Sequence, residues 1–588
     1  MRINGMAWGL AAAAMLVASG AQAQVDTPGS AQGNVAADAA AARTMLAAAK
    51  PVAARHAMVV SAQHLATEVG VDILRQGGNA IDAAVAVGYA LAVVHPCCGN
   101  IGGGGFMVVH LAGGRDLFLD FREKAPLAAT ATIFQDAQGH VVPDRSTSSW
   151  LAVGTPGTVM GLDTALAQYG TMPLAKVIAP AIALARDGYV LEQGDIKLLG
   201  GRTEDFAAEP NVAAIFLNQG RPFVAGERLV QSQLATTLET IAKGGTDAFY
   251  HGAIPAKVAA ASAAGGGLLT AADFAAYTVA WDTPVTCHYR GYTVIAAPPP
   301  SSGGATVCEI LETIEPYPLG KWGYGSAQAT HVLVEAERHA YADRNIALGD
   351  PAFVHNPVDT LIAPARAAEI RAAIQTDKAT PSSQVKGIGG PPEGNDTTHY
   401  SVVDAHGNAV SVTFTINFLF GVGKIASDTG FLLNDEMDDF ASKPGTANAM
   451  GLVQGSANAV AGGKRPLSSM SPTILLKDGE PWLVTGSPGG STIITTVVQS
   501  IVNTVDFGMN VQQAVNAPRF HHQWMPDLIT VEPGYLTPAT AATLTAMGYA
   551  IRTGSAWGAD EIIRRDVKTG GLEGANDRRY PAGLAAGY

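Results

Sequence analysis

The sequence predicts a large α+β protein in which antiparallel hairpins alternate with helices. Three pairs of apolar runs with a period of two, each joined by a glycine-containing turn, indicate the hairpins. Segments with helical periodicity lie between them. Of the 588 residues, 47% are hydrophobic and 15% are charged, which is typical of a well-buried globular protein and excludes a disordered or coiled-coil chain.

Residues 1–23 have the pattern of a secretory signal peptide. Arg2 supplies a thin positive region, residues 6–18 are apolar, and Ala21-Gln22-Ala23 is an A-x-A cleavage site. The apolar run is shorter than the roughly 20 residues that a membrane span needs, and no other stretch could cross a bilayer. We therefore expect an exported mature protein, periplasmic in a Gram-negative cell or otherwise secreted. A buried N-terminal helix is the alternative.

The charge balance argues against two classes of partner. The net charge is −13, the pI is about 5.5 and no long basic run is present, so nucleic acid and anionic membrane surfaces are not expected to bind.

The four cysteines, Cys97, Cys98, Cys287 and Cys308, match no zinc-site spacing. An oxidising compartment would permit disulfides, and Cys287 could pair with Cys308. We do not expect the adjacent Cys97 and Cys98 to bridge each other, because that geometry is strained. Four buried free thiols are the alternative.

The first third of the chain predicts a strand, two helices and a hairpin. The strand is 58–61, the helices are 65–76 and 80–94, and the hairpin pairs 106–111 with 117–121. The glycine run before the hairpin lacks the Gly-Lys-Ser/Thr ending of a phosphate loop, so it predicts close backbone packing.

Arg122 follows the second strand of this hairpin. Its guanidinium could grip a carboxylate with two hydrogen bonds, or it could be a solvated charge or a structural ion pair.

The middle of the chain reads as mainly helical from Pro156 to about Leu238. A strand then leads into the rigid turn 298–304 and a helix, and another helix is predicted over 335–348. Residues 376–394 are rich in Pro, Gly, Ser and Lys, which predicts a flexible linker.

The second hairpin begins where this linker ends, pairing residues 400–404 with 409–417. Thr397 stands at its start. A cut between Asp396 and Thr397 would give Thr397 a free α-amine beside its hydroxyl. That amine has a pKa of about 7.7–8.0 and could act as the base that activates the hydroxyl. An ordinary strand threonine is the alternative.

The last third contains an acidic cluster, a serine-rich segment and the third hairpin. The cluster lies within 432–440, the segment is 464–472, and the hairpin pairs 473–477 with 482–485. The glycine turn that follows could offer backbone amides to an oxyanion. Ser487 does not fit a Gly-x-Ser-x-Gly elbow, because Thr485 replaces the first glycine.

These segments together resemble the γ-glutamyltranspeptidase family of N-terminal-nucleophile hydrolases. The resemblance covers nearly the whole mature chain, and several of its motifs are long and specific. The matching motifs are Gly102–Phe106, Asp120–Pro126, Tyr289–Gly304, Tyr341–Arg344, Thr397–Asn417, Pro466–Pro472, Ser487–Gly490, Asn516–His522 and Asp577–Tyr588.

The resemblance implies a four-layer αββα sandwich and a precursor that cuts itself before Thr397. It implies a large subunit, 24–396, and a small catalytic subunit, 397–588, which remain associated. The implied reaction cleaves γ-glutamyl amides such as glutathione and transfers the glutamyl group to water or to amino acid or peptide acceptors. No metal or cofactor is implied.

The family's roles fall on residues of this chain. Thr397 is the nucleophile and its amine the base, Thr415 holds the Thr397 hydroxyl, and Gly489 and Gly490 bind the oxyanion. The resemblance implies that Arg122, Ser468 and Ser469 bind the α-carboxylate of the substrate. It implies that Asn417, Glu436 and Asp439 bind the α-ammonium.

One departure and two alternatives accompany the resemblance. Met450 stands where some relatives have a lid tyrosine, and methionine cannot donate the hydroxyl hydrogen bond that tyrosine can. The resemblance therefore does not predict lid closure or the balance of hydrolysis against transfer. A glutaryl (cephalosporin) acylase could use the same fold, although the pair Glu436 and Asp439 argues against a substrate without an α-amine. A non-enzymatic exported binding protein is the second alternative, and the intact Thr397 argues against it.

Overall fold

The computed structural model describes residues 46–385, 397–446 and 455–588. Two antiparallel seven-stranded sheets form the centre of this part of the chain. The predicted signal peptide, Asp396 and Met450 lie outside the described residues, as do residues 386–394 of the predicted linker. The first part of that linker is described, and within it Ser382–Gln384 forms a short 3₁₀ helix.

The strands of the described residues are numbered along the chain. They are β1 Val52–Ala54, β2 Met58–Ser61, β3 Gly104–Leu111, β4 Arg115–Phe121, β5 Tyr189–Val190, β6 Arg228–Leu229, β7 Ala280–Asp282, β8 Val285–Tyr289, β9 Tyr292–Ala296, β10 Thr398–Val403, β11 Ala409–Thr415, β12 Thr473–Lys477, β13 Glu480–Thr485, β14 Phe520–His521, β15 Ile529–Val531, β16 Ile551–Thr553, β17 Glu561–Arg565, β18 Leu572–Asn576 and β19 Leu584–Gly587. Sheet I has the order β1-β18-β17-β13-β12-β9-β8, and sheet II has the order β19-β2-β10-β11-β3-β4-β7.

The α-helices are numbered in the same way. They are α1 His64–Arg75, α2 Ala80–Val94, α3 Thr158–Tyr169, α4 Leu174–Asp187, α5 Gln193–Gly200, α6 Thr203–Ala208, α7 Pro210–Phe216, α8 Ser232–Tyr250, α9 Ala253–Ala264, α10 Ala271–Ala275, α11 Gly303–Ile314, α12 Leu319–Trp322, α13 Ala327–Ala347, α14 Val358–Leu361, α15 Pro364–Ala373, α16 Thr492–Val505, α17 Val511–Asn516 and α18 Pro538–Ala546. Short 3₁₀ helices span Trp150–Ala152, Ser382–Gln384, Glu436–Asp439 and Ser456–Asn458. Among the described residues, no helix is both long enough and apolar enough to cross a bilayer.

The two sheets pack face to face between two helical layers. Side chains of sheet II alternate: Val59 and Met107 face one hydrophobic core, while Met58 and Phe106 face the other. Helices α2 and α3 contact the outer face of sheet II. Helix α11 contacts β8 and β9 of sheet I, and α13 and α16 pack on α11. The predicted α+β class and αββα sandwich are confirmed.

The hairpin that begins beside Thr397 occupies the centre of sheet II. Strand β10 pairs with β2 and β11, and β11 pairs with β3. The Asp404 carboxylate closes the turn by accepting from the amides of His406 (2.9 Å) and Asn408 (3.0 Å), and Gly407 adopts a φ of 91°. The three predicted hairpins are confirmed, and the central one is buried on both faces.

One predicted helix is longer than the pattern indicates. We expected a helix over 335–348, and α13 begins two turns earlier, at Ala327. Its polar residues obscure the periodicity because they are buried in ion pairs: Arg338 pairs with Glu335 and with Asp527.

The expectation for the adjacent cysteines was wrong, because Cys97 and Cys98 are joined by a disulfide. They lie in a turn after α2, where the amide of Cys98 donates to the carbonyl of His95 (3.3 Å). The turn brings both side chains to one side, whereas an extended backbone would direct them to opposite faces. Cys287 pairs with Cys308, linking β8 to α11.

Candidate active site

The predicted site residues meet at one edge of sheet II. Strand β10 begins there, and β4 and β11 end there. A small pocket at this edge is lined by Arg122, Thr397, Thr415, Asn417, Glu436, Asp439, Ser468, Ser469, Met470, Gly490 and Ile493. The structure thus brings together the predicted residues, with Gly489 one position outside the lining set. Met470 and Ile493 are additions that the sequence did not indicate.

Thr397 and Thr415 face each other across the central hairpin. Thr398 pairs with Phe414 in the β10–β11 register, so continuing the register sets Thr397 opposite Thr415. Thr397 is 4% exposed, and the hydroxyl oxygen of Thr415 accepts from the amide of Asn417 (2.8 Å). Both hydroxyl groups therefore belong to a mostly buried, ordered wall of the pocket.

The glycine run before β3 allows this arrangement. A Cβ atom on Gly103 would lie 1.8 Å from the carbonyl oxygen of Thr415, and one on Gly105 would lie 2.5 Å from that of Thr413. Side chains at these positions would push β11 away, so the prediction of close backbone packing is confirmed.

Asn417 is held in an uncommon backbone conformation. Its φ is 71°, in the left-handed region that asparagine tolerates better than most residues. Its side-chain amide donates to the carbonyl of Asp435 (3.0 Å), and the Asp435 carboxylate accepts from the amide of Phe418 (3.1 Å). These contacts fix the loop after β11 against the acidic cluster.

Arg122 forms buried ion pairs with the acidic cluster. Its Nη1 donates to Glu436 and its Nη2 to Asp439, while its Nε donates to the carbonyl of Pro466 (3.2 Å). The guanidinium is 0% exposed. Of the alternatives for this arginine, a solvated charge is therefore excluded.

Carboxyl groups outnumber the guanidinium group on the side of the pocket that contains Arg122. Glu123 lies 3.6 Å from Arg122 Nη1, so three carboxyl groups surround one arginine. Burial raises the pKa of Glu436 well above its usual value and raises that of Asp439, while Arg122 opposes both shifts. Burial also raises the pKa of Glu123 to about 7. An additional cation would relieve this excess of acidic groups.

Arg344 positions the two serines, and sequence reasoning missed it. Its Nη2 donates to the hydroxyl of Ser469 (2.9 Å) and its Nε to that of Ser302 (2.9 Å), which in turn donates to the carbonyl of Ser468 (2.7 Å). Arg344 ends one of the motifs of the family resemblance. That motif was the available signal, because burial of an arginine within a helix has no local pattern.

The glycine turn after β13 forms the neutral side of the pocket. Gly489 and Gly490 have φ values of 134° and 54°. The carbonyl of Gly489 accepts from the amide (3.1 Å) and the hydroxyl (2.7 Å) of Thr492, which begins α16. Within the described residues, the amides of Gly489 and Gly490 donate to no acceptor, so they are available to an oxyanion.

Asp560 supports the start of this turn and was also missed. Its carboxylate accepts from the hydroxyl of Thr485 (2.9 Å) and the amide of Gly486 (3.3 Å), and the hydroxyl of Ser500 donates to it as well. Burial raises the pKa of Asp560 to about 6. No motif marks this residue, because its partners lie 60 or more positions away.

Comparisons with known proteins identify the family of this chain. The model of the gamma-glutamyltranspeptidase family matches residues 66–587. A glutathione hydrolase proenzyme from Pseudomonas sp. (strain A14) is 53% identical over 547 residues, 92% of this chain and 95% of that protein. One from Escherichia coli (strain K12) is 51% identical over 542 residues, 92% of this chain and 93% of that protein. The crystal structure of a cephalosporin acylase from Bacillus halodurans has a TM-score of 0.81 at 28% identity, covering 92% of this chain and 97% of that one.

The family model spans most of the chain, and the two curated relatives share more than half of their aligned residues with it. The chain belongs to the gamma-glutamyltranspeptidase family.

Proposed function

We propose that this chain is a γ-glutamyltransferase and glutathione hydrolase that uses Thr397 as its nucleophile. The observation that carries the proposal is the pocket itself. A threonine at the start of a buried strand, the glycine turn at Gly490 and a guanidinium between carboxylates surround a single small space. This set matches a γ-glutamyl amide, whose reactive carbonyl lies at one end and whose α-carboxylate and α-ammonium lie at the other.

The reaction begins with attack of Thr397 Oγ on the γ-carbonyl. The α-amine that cleavage creates on Thr397 accepts the hydroxyl proton, and Thr415 on the neighbouring strand holds the hydroxyl in place. The amides of Gly489 and Gly490 stabilise the oxyanion of the tetrahedral intermediate. Collapse of that intermediate expels the amine and leaves a γ-glutamyl-threonine ester. Water or the amine of an acceptor then attacks this ester and regenerates Thr397.

The charged side of the pocket matches the two charged groups of a glutamyl donor, its α-carboxylate and its α-ammonium. Arg122, with Ser468 and Ser469, binds the α-carboxylate, and Asn417, Glu436 and Asp439 bind the α-ammonium. In the structure Arg122 is already paired with both acids. A bound zwitterion gives each ion a new partner of opposite charge, so none is left unpaired in a buried site.

The active form is proposed to arise by cleavage of a precursor. Cutting before Thr397 gives a large subunit, 24–396, and a small subunit, 397–588, which stay associated because β10 and β11 lie inside sheet II between β2 and β3. Both quoted curated relatives are described as proenzymes. The signal peptide 1–23 would direct export to the periplasm or the exterior and would then be removed.

A glutaryl (cephalosporin) acylase is the second candidate, favoured by the similar architecture of the Bacillus halodurans acylase. A glutaryl group lacks the α-ammonium. It would leave Glu436 and Asp439 without the cation that this wall favours, so we expect γ-glutamyl donors to be preferred.

The test is an assay of the purified protein with a γ-glutamyl anilide, with and without a dipeptide acceptor. We expect anilide release in both cases and a γ-glutamyl dipeptide product when the acceptor is present. N-terminal sequencing of the smaller chain should begin Thr-Thr-His-Tyr. An uncut, inactive chain would instead support a binding protein that reuses the fold.

A further inference from the structure

Asn458 joins the two segments that form the charged side of the pocket. Its side-chain Nδ2 donates to the main-chain carbonyl of Asp439 (2.6 Å), and its Oδ1 accepts from the main-chain amide of Leu467 (3.0 Å). Asp439 carries the proposed contact to the α-ammonium. Leu467 directly precedes the two serines that are assigned to the α-carboxylate. One side chain therefore links the segments that hold the two charged subsites.

The main chain of Asn458 is itself held in place. Its carbonyl accepts from the amide of Ala441 (2.9 Å), and its amide donates to the carbonyl of Gly455 (3.2 Å). Lys464 Nζ donates to the carbonyls of the two residues that flank Asn458 in the chain, at 2.7 and 3.0 Å. Asn458 is 1% exposed. Its side-chain amide therefore extends from a fixed, buried base.

Arg122 forms a second bridge between the same two segments. Its Nη2 donates to the Asp439 carboxylate, and its Nε donates to the carbonyl of Pro466 (3.2 Å). The two bridges differ in what the donor does to them. Arg122 must share its guanidinium with the α-carboxylate of a bound donor, whereas Asn458 binds only main-chain groups and lies outside the pocket lining. The Asn458 bridge therefore persists when the donor is bound.

The separation of the two subsites matters because the α-carboxylate and the α-ammonium are attached to the same carbon atom. Both groups can be bound together only where their binding groups stand at a matching separation. A glutaryl donor has the carboxylate without the ammonium, so it does not require that match.

We propose that Asn458 is a positioning residue that sets the separation of the two subsites and so strengthens the preference for γ-glutamyl over glutaryl donors. The inference rests on the proposed function, because it concerns how the same pocket binds its donor. Asn458 acts through Asp439 and through the segment that Leu467 begins.

Two substitutions of Asn458 separate its two hydrogen bonds. Asn458→Leu keeps the approximate size and removes both. Asn458→Asp keeps the acceptor that faces Leu467 and loses the donor that faces Asp439. An added carboxylate would by itself favour a donor with an ammonium group, so a narrower preference in this variant reports lost positioning. Asn503→Leu is the matched control, because Asn503 is buried and its Nδ2 donates to the Ala514 carbonyl (3.4 Å) away from the pocket.

The experiment measures kcat and KM for γ-glutamyl and glutaryl anilides on each purified, cut protein. Calorimetry with L-glutamate and with glutarate reports binding without the chemical step. In Asn458→Leu, KM for the γ-glutamyl donor should rise about two- to tenfold, the value of one net hydrogen bond, with kcat little changed.

The glutaryl donor should respond less, so both the kcat/KM ratio of the anilides and the Kd ratio of glutamate and glutarate should narrow. Asn458→Asp should change these ratios in the same direction by a smaller factor. Asn503→Leu should keep the wild-type ratios.

Three results would overturn the inference: KM and both ratios are unchanged in Asn458→Leu, the two donors lose activity by the same factor, or Asn503→Leu narrows the ratios as well. Thermal unfolding checks that each variant is folded, and Asn458→Asp decides the matter if Asn458→Leu is not. Absence of anilide cleavage by wild type would count against the proposed function, while the calorimetric ratio would still test the positioning by Asn458.

Discussion

The two walls of the pocket are built in different ways. One consists of buried ions: Arg122 lies between Glu436 and Asp439, with Glu123 beside it. The other consists of hydroxyl groups and backbone amides, from Thr397, Thr415 and the turn that contains Gly489 and Gly490. The ionic wall joins a strand end to a 3₁₀ helix more than 300 residues later, whereas the neutral wall has its two threonines on a single hairpin.

This difference indicates a division of labour. A buried charge is stable only while it is paired, so we propose that the ionic wall discriminates between substrates by the charges that they carry. Backbone amides aimed at a developing oxyanion do not depend on the charge of the glutamyl group, so we propose that the neutral wall acts mainly on the transition state. Changes to the ionic wall should alter KM and donor selectivity, and changes to the neutral wall should alter kcat.

The largest effect is expected at Thr397. Thr397→Ala removes the hydroxyl and should leave a single uncut chain with no detectable anilide cleavage, as a gel and an assay would show. Thr397→Ser is the matched control, because it keeps a hydroxyl and should retain cutting and part of the activity. If the Thr397→Ala protein were active, Thr397 could not be the nucleophile, and the proposed catalytic role of the neutral wall would be wrong.

Arg122→Lys should give the next largest effect. Lysine keeps the charge but loses the planar fork, so KM should rise and kcat/KM should fall roughly ten- to over a hundredfold, the range for one charge-assisted hydrogen bond of about 1.5–3 kcal/mol. Cutting before Thr397 should stay normal. Arg186→Lys, at a surface position that is 56% exposed, is the control. An unchanged KM would mean that Arg122 does not bind the substrate carboxylate and that its ion pairs are purely structural.

Asp560→Asn tests the neutral wall through a residue outside the pocket. The variant weakens the acceptor that holds Gly486 and Thr485, so the turn should lose some of its order. We expect kcat to fall about tenfold at most, the value of one such hydrogen bond, with KM little changed. The exposed Asp566→Asn is the control. A rise in KM with kcat preserved would contradict the division between the walls.

Glu123→Gln should have the smallest effect, on the pH dependence of stability. The pKa of Glu123 is about 7 in the folded protein against a usual 4.5, so the folded state holds a proton that the unfolded state releases. Its contribution to stability is present below pH 4.5 and is lost as the pH rises through 7.

In wild type, protonation of Glu123 should make the free energy of unfolding fall by up to about 1.4 kcal/mol per pH unit between pH 5 and 7, and Glu123→Gln should abolish this fall. Urea unfolding in a Thr397→Ala background provides the measurement, because a single uncut chain avoids a concentration-dependent midpoint. Parallel pH profiles for the two proteins would show that Glu123 is ionised throughout.

Much of the fold could be predicted because its signals are local. The alternation of residues 400–404 and 409–417 requires only that neighbouring side chains point to opposite faces, and the structure has that hairpin. The ion pairs of Arg122 could not be read from any local pattern, since a pairing with Glu436 depends on how distant segments fold together.

The same reasoning accounts for what was missed. Arg344 and Asp560 are buried polar residues whose partners come from other elements, so periodicity marks neither of them, and only Arg344 lies in a motif of the family resemblance. The Cys97–Cys98 bond was not expected because a bridge between neighbouring cysteines was judged to be strained, but the two residues lie in the turn after α2 and are joined. The site residues were identified through the family resemblance, and their individual roles remain predictions.

The most direct test of the account compares γ-glutamyl and glutaryl anilides, which differ by the α-ammonium, on wild type and on Asp439→Asn. Wild type should strongly prefer the glutamyl donor, because the glutaryl donor leaves buried carboxylates without their cation. The variant loses one of those charges and keeps the shape, so its kcat/KM should fall for the glutamyl donor and the ratio between donors should narrow. The same ratio in both proteins would contradict the account, since Asp439 would then not recognise the amine.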